Sequence, residues 1–206
     1  MFIVVLLSIP IGIISALKRG TWIDTVAMTG ALIGVSMPAF WFGIMLMLLF
    51  GLTLGWLPTI GQGKTPLEYL RSLILPSITL SMILLGLTTR IVRSSMLEVL
   101  NKDYVRTARA KGLASRVVIL RHALPNAAIP ILTVLSGQVA NLLGGVVVIE
   151  SVFGWPGLGR LAVSAVFQRD YQVVTGTVLV FSAIVIVINL ITDLLYTVID
   201  PRIRFK

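Results

Sequence analysis

The sequence predicts an all-α protein that crosses a membrane several times, and three observations predict it. Of its 206 residues, 57% are hydrophobic and 12% charged, about half the charged share of an average soluble domain, and the mean hydropathy is +1.00. A soluble domain of this size has too few polar groups to cover so much apolar surface, and the same composition excludes a disordered chain. Second, the charges leave long gaps. No Asp, Glu, Lys or Arg lies between Asp24 and Lys64, Arg71 and Arg90, Arg121 and Glu150, or Asp170 and Asp193. Third, these gaps lack the polar alternation over about ten residues that a barrel strand would need. With no cysteine, disulfide, thiol and Cys-ligated metal chemistry are also excluded.

A spanning helix needs roughly 20 apolar residues at about 1.5 Å each. The opening run, Phe2–Leu17, is apolar, contains Pro10 and ends at Lys18-Arg19. A secretory signal would carry its positive charge ahead of the apolar core and small residues behind it. The order here is the reverse, so the run reads as a helix, and its shortness and abrupt start suggest that an earlier segment is missing. The four gaps predict helices near residues 25–51, 73–92, 126–149 and 173–197, for about five spans in all.

Basic residues orient these helices. Alternating the loops places Lys18, Arg19, Arg90, Arg93, Lys102, Arg106, Arg109, Lys111, Arg116, Arg121, Arg202, Arg204 and Lys206 on one side, and Lys64, Arg71, Arg160 and Arg169 on the other. By the positive-inside rule the first group is cytoplasmic, which puts the N-terminus outside and the C-terminus inside. The net charge of +9 therefore reports orientation, and no nucleic-acid partner is inferred from it.

The longest polar segment, residues 93–124, predicts a short cytoplasmic helix. Asn101 or Asp103 can cap its start, and Gly112 can end it in the left-handed conformation. At 100° per residue, Tyr104, Thr107, Ala108 and Lys111 share one face, small apart from Tyr104 and suited to docking on another protein. Lys102, Arg106 and Arg109 form a basic stripe suited to acidic partner groups or anionic lipid. Lys111 also sits where the helix dipole favours a cation.

Arg106-Thr107-Ala108-Arg109-Ala110-Lys111-Gly112, followed after nine residues by His122-Ala123-Leu124-Pro125, resembles the EAA loop of ABC importer permeases, Glu-Ala-Ala-x3-Gly-x9-Ile-x-Leu-Pro. Arg106, Thr107 and His122 depart from that pattern, while Ala108, Gly112, Leu124 and Pro125 keep it. Residues 103–113 resemble the dipeptide, oligopeptide and nickel branch of these permeases throughout. So do Ser94-Ser95-Met96-Leu97-Glu98, the turn Phe153-Gly154-Trp155-Pro156-Gly157-Leu158-Gly159-Arg160, and Asp193-Leu194-Leu195-Tyr196 with Asp200-Pro201-Arg202.

The resemblance implies that residues 1–206 form one permease domain of a type I importer, in the inner membrane of a prokaryote, lacking the family's first helix. It implies a coupling helix of Asp103, Tyr104, Arg106, Thr107, Ala108, Arg109, Lys111 and Gly112, with Ala108 permitting close approach of a cytoplasmic ATPase. Two ATPase domains, a second permease (a heterodimer), an external binding protein and membrane lipid are the implied partners. ATP and Mg would be used by the ATPases, with no cofactor bound by this chain. Peptide is the favoured cargo; nickel and glutathione carriers share the motifs.

Other signals are weaker. Gly61-Gln62-Gly63-Lys64-Thr65 resembles the end of a phosphate-binding loop, but Pro58 stands where the first glycine belongs and Pro66 follows. Gly154, Gly157 and Gly159, with Trp155 and Pro156, lack dinucleotide spacing and read as an external turn, with a gating role by resemblance. His122 is the only histidine, so no His-cluster metal site exists, and the carboxylates are too scattered for a catalytic pair. Asn141, Asn189 and Asp193 suit either a pore or hydrogen bonding between helices. A proton-coupled carrier would need midplane ionisable groups and internal repeats, neither of which is evident; a truncated, non-transporting subunit is a further alternative.

Overall fold

The computed structural model describes residues 1–199, apart from the side chains of Ala140, Asn141, Leu143, Thr192, Asp193 and residues 195–199. Asn141, Asp193, the Asp200-Pro201-Arg202 motif and the terminal Arg202, Arg204 and Lys206 therefore lie outside the described residues. The described chain is helical, with no strand among its elements. In order these are α1 (Phe2–Leu17), α2 (Trp22–Ser36), α3 (Ala39–Leu46) running into a π-helical segment (Met47–Thr53), α4 (Pro66–Leu100), α5 (Asp103–Ala110), α6 (Ser115–Val117) continuing as a second π segment (Val118–Ala123), α7 (Leu124–Val152), α8 (Leu158–Gln168) and α9 (Tyr171–Ile199).

By length and composition, three stretches among the described residues are apolar enough to cross a membrane: Pro66–Leu100, Ser115–Val139 and Tyr171–Ile191. The pair Trp22–Ser36 and Ala39–Thr53, bent by 104°, makes a fourth if taken as one broken span. The single helix expected near 25–51 is instead two. Pro38 sits at the start of α3 with extended backbone (ψ 129°), and proline forces the residue before it away from helical geometry. Pro10, Pro76 and Pro130 lie inside α1, α4 and α7 without ending them, as membrane helices tolerate. The chain divides into two compact units.

One unit comprises residues 2–35, 84–137 and 191–199. Its core takes Val92, Met96 and Val99 from α4, Val105 and Ala108 from α5, Val118 and Ala123 from the π segment, and Ala127 and Ile131 from α7. Steps of three and four residues, and of five in the π segment, put each set on one helical face. Small residues fix the crossings. A Cβ on Gly12 of α1 would lie 2.6 Å from Val92 Cβ, and one on Gly86 of α4 would lie 2.4 Å from the Ala31 carbonyl oxygen of α2. Contact this close suits membrane helices, where packing rather than water drives association. Gly144 and Gly176 have open space beside them, while a Cβ on Gly145 would lie 3.6 Å from Leu80.

Asp24, in the first turn of α2, is buried and collects four donors. Arg93 Nε and Nη2 donate to its two oxygens at 2.6 and 2.7 Å, Gly20 N–H donates at 3.0 Å, and the Ser15 hydroxyl completes the set. This forked, charge-assisted geometry is the strong form of the carboxylate–guanidinium contact. It ties the α1–α2 turn to α4 seven residues before α4 ends.

The other unit comprises residues 36–83 and 138–190, with Met1. Leu75, Ile149 and Phe153 form its core, with Leu46, Met47, Phe50 and Leu57 packed around them. The Phe153 ring lies 3.1 Å from where a Cβ on Gly43 would be. Thr65 and Glu68 begin α4 with a capping box: Glu68 N–H donates to Thr65 Oγ1, while Lys64 and Thr65 N–H donate to Glu68 Oε2. Pro66 occupies the first helical position, where its missing N–H costs nothing. The supposed phosphate loop is thus the start of a helix.

Removing one partner of the Asp24–Arg93 pair leaves a buried charge alone, so Arg93→Ala is expected to cost about 3–5 kcal/mol. Thermal unfolding in detergent checks this; Arg93→Lys, which keeps the charge but loses the fork, should recover only part.

Candidate functional site

α5 is a two-turn helix held by its hydrophobic face. Val105 is fully buried and Ala108 is 6% exposed, both inside the core built on α4 and α7. Tyr104, Arg106, Thr107, Arg109, Ala110 and Lys111 face solvent. This corrects the expected docking face. Ala108 packs against its own chain, because the α5 face that a partner could reach is rotated away from the Val105–Ala108 edge. Tyr104, Thr107 and Lys111 remain available.

The expected side-chain cap is also absent. Lys102 is the capping residue and makes no side-chain cap bond. Asn101 instead turns back, its Nδ2 donating to the Leu97 carbonyl at the end of α4. Asp103 stands inside the first turn, where acidic charge suits the helix dipole, and pairs with Arg106 at 3.5 Å. Lys102 pairs with Glu98 at 3.2 Å. Exposed pairs like these contribute about 0–1 kcal/mol but spend two of the three stripe cations internally. Arg109 has no ion-pair partner among the described residues.

The end of α5 forms as expected. Gly112 has φ +75°, its N–H donates to the Arg109 carbonyl, and Leu113 N–H donates to Ala108 at 3.4 Å. Those two bonds make a Schellman motif. The chain then climbs through α6 and the π segment into α7. Pro125 lacks the N–H that would bond the Arg121 carbonyl and crowds it; the wider π turn, with Leu124 N–H donating to Ile119 five residues back, absorbs that defect.

In the other unit, the Phe153–Arg160 turn is built around Glu150, which sequence reading set aside as one of several scattered acids. Trp155 N–H donates to the Glu150 carbonyl and Gly61 N–H to the Phe153 carbonyl. Arg160 N–H, in the first turn of α8, donates to Glu150 Oε2 at 2.9 Å, and Arg160 Nη1 donates to the Gly154 carbonyl at 2.7 Å. Glu150 therefore supplies the cap that α8 otherwise lacks. Each glycine has a separate cause. Gly154 has φ +60°, a Cβ on Gly157 would lie 1.9 Å from Glu150 Oε1, and one on Gly159 would lie 2.6 Å from Val147 Cα. Trp155 packs against Tyr69 with ring centres 5.4 Å apart and planes tilted by 58°, and Pro156 lines an open cleft of about 710 Å³ with Gly157, Arg160 and Ser164. The readable signal was a carboxylate closing a long uncharged run just ahead of three glycines.

Asn189 is exposed on α9, so the hydrogen bonding expected of it between helices is not found among the described residues. Over its described side chains α9 is barely covered: Leu179, Ile186 and Leu190 are all more than half exposed. No group of three His, Asp or Glu side chains among the described residues is placed to hold a metal ion.

Long apolar helices interrupted by a short amphipathic helix and a glycine-built turn define a polytopic helical membrane domain. The fold matches a chain of the inward-facing MetNI methionine ABC transporter with TM-score 0.76, covering 97% of this chain and 88% of that one at 16% identity. Residues 8–205 match the family described as "Binding-protein-dependent transport system inner membrane component", and this chain belongs to it. Relatives include the glutathione transport system permease proteins of Pectobacterium atrosepticum and Salmonella choleraesuis, each 48% identical over 98% of this chain and 64% of their own length. A Brucella abortus permease protein named for a peptide transport system is 47% identical over 97% of this chain and 66% of its own. The chain thus spans about two thirds of the length of these relatives.

Nothing lies within 4 Å of a Cβ placed on Gly112, so Gly112→Ala is expected to cost only its left-handed backbone, about 1–2 kcal/mol, with Gly112→Asn milder; unfolding temperatures check the order. Gly157→Ala should destabilise more, by collision with Glu150, and its cost should shrink in a Glu150→Ala background. A double-mutant cycle reads that coupling.

Proposed function

We propose that this chain is the membrane-spanning permease subunit of an ATP-driven, binding-protein-dependent importer of small peptides. It acts by alternating access and performs no covalent chemistry of its own. The observation that carries this is α5, a helix whose Val105–Ala108 edge is locked into the core while Tyr104, Thr107, Arg109 and Lys111 stand in solvent. A lever needs both features: a rigid root and a free face.

In this reading residues 93–124 lie in the cytoplasm and α5 docks on one of two ATPase domains, which bind the ATP and Mg. A second, related permease covers the bare apolar side of α9, giving a heterodimer. An external binding protein delivers cargo on the side of the Gly154–Gly159 turn, where Glu150 and Arg160 set the position of α8. The N-terminus of the chain as given is external and its C-terminus cytoplasmic. The names of the relatives support a peptide cargo, and glutathione, itself a tripeptide, is the specific candidate. Nickel carriage has no supporting ligand set among the described residues.

Thr107 is exposed, so Thr107→Trp is accommodated by the fold and obstructs only the free face. Uptake of labelled cargo should fall at least tenfold while the amount in the membrane is unchanged; undiminished uptake contradicts the docking role. Competition of that uptake by unlabelled glutathione, dipeptides and nickel identifies the cargo, with peptides expected to compete and nickel not.

A further inference from the structure

Arg116, Val117, Leu120 and Arg121 line one open cleft of about 300 Å³ on the helix that leads from the loop into the apolar segment Ser115–Val139. Residues five apart on an α-helix point about 140° away from each other, so Arg116 and Arg121 would ordinarily face different surroundings. The π segment Val118–Ala123 changes this. Arg121 lies in that segment and Arg116 just before it, so about two of the five steps between them are α-helical and three take the smaller π step, which narrows the angle from about 140° to about 85°. The π turn thus gathers two guanidiniums around one groove. Both arginines are exposed, and neither guanidinium takes part in an ion pair or side-chain hydrogen bond among the described residues. Between them Val117 and Leu120 are 37% and 49% exposed. Two unspent cations therefore flank bare aliphatic surface where an apolar span begins.

We propose that this cleft binds the headgroup of an anionic phospholipid, with its phosphate held between Arg116 and Arg121 and its first acyl methylenes on Val117 and Leu120. Guanidinium forks match phosphate oxygens bidentately, and the aliphatic floor selects a ligand that carries an apolar tail beside its charge. An acidic protein face satisfies the arginines but leaves Val117 and Leu120 against polar groups. The inference rests on the reading of Ser115–Val139 as membrane-inserted and not on the docking of α5 to an ATPase, so the two fail separately.

The test titrates phosphatidylglycerol into the detergent-solubilised transporter and counts bound lipid by native mass spectrometry, with phosphatidylcholine as the neutral control. Wild type is expected to prefer phosphatidylglycerol, and Arg116→Gln/Arg121→Gln to weaken its binding roughly thirtyfold without altering phosphatidylcholine binding. Arg116→Lys/Arg121→Lys, which keeps the charge and guards against loss of fold, should fall between. Lys64→Gln, a cation elsewhere on the chain, should bind as wild type does. Equal phosphatidylglycerol binding by wild type and the double glutamine variant overturns the proposal, as does equal wild-type binding of the two lipids. Full displacement by inorganic phosphate at the same concentration overturns the part assigned to the acyl chain. Loss of a co-purifying ATPase from the double glutamine variant with lipid binding intact points to a protein partner and overturns the proposal as well.

Discussion

A carboxylate and a guanidinium leave water at acceptable cost only together, and only with their remaining hydrogen-bonding sites filled. Asp24 and Arg93 meet that condition, with Ser15 and Gly20 supplying the other donors. Their pairing fixes where α1 and α2 stand against α4 just before α4 hands the chain to α5. The apolar core alone would not do this, because its contacts are small aliphatic surfaces that slide at little cost. The ion pair supplies register, and the close crossings at Gly12 and Gly86 supply depth. On that footing Val105 and Ala108 can root α5, and the outer face of α5 acquires a definite direction.

Much of this was legible in the sequence. The uncharged runs gave the apolar helices, Gly112 gave the end of α5, and the spacing through Leu124-Pro125 gave the loop's kinship. What escaped had a common physical cause: each missed feature depends on residues distant in sequence or on the backbone. Asp24 read as the edge of an apolar run, since nothing local shows that Arg93, 69 residues later, reaches it. Glu150 looked isolated because its partners, the N–H groups of α8, have no sequence signature. Ala108 was placed on the docking face by helical phase alone, which says which residues share a side but not which side the core claims. The run at 25–51 looked unbroken by charge, though Pro38 divides it.

Both functional regions solve one problem, the end of a helix. At α5 the solution is a glycine whose left-handed backbone satisfies two carbonyls, so the terminus is closed without any side chain. At α8 it is a carboxylate brought from the preceding helix, with Gly157 and Gly159 present chiefly to admit it. The π segments belong to the same theme. The one ahead of α7 accommodates Pro125 by widening the helix, and in doing so it turns the side chains along it.

An α5 that couples this chain to a separate ATPase must present its outer face to the cytoplasm and touch that ATPase there. The most direct measurement places a single cysteine at Tyr104 in this cysteine-free chain and treats intact cells and inside-out vesicles with a membrane-impermeant maleimide, then with a short bifunctional crosslinker. Labelling is expected in inside-out vesicles alone, with a crosslinked product to the ATPase that diminishes when ATP drives the complex through its cycle. Labelling in intact cells, or no product with a nucleotide-hydrolysing subunit in the assembled transporter, would contradict that coupling.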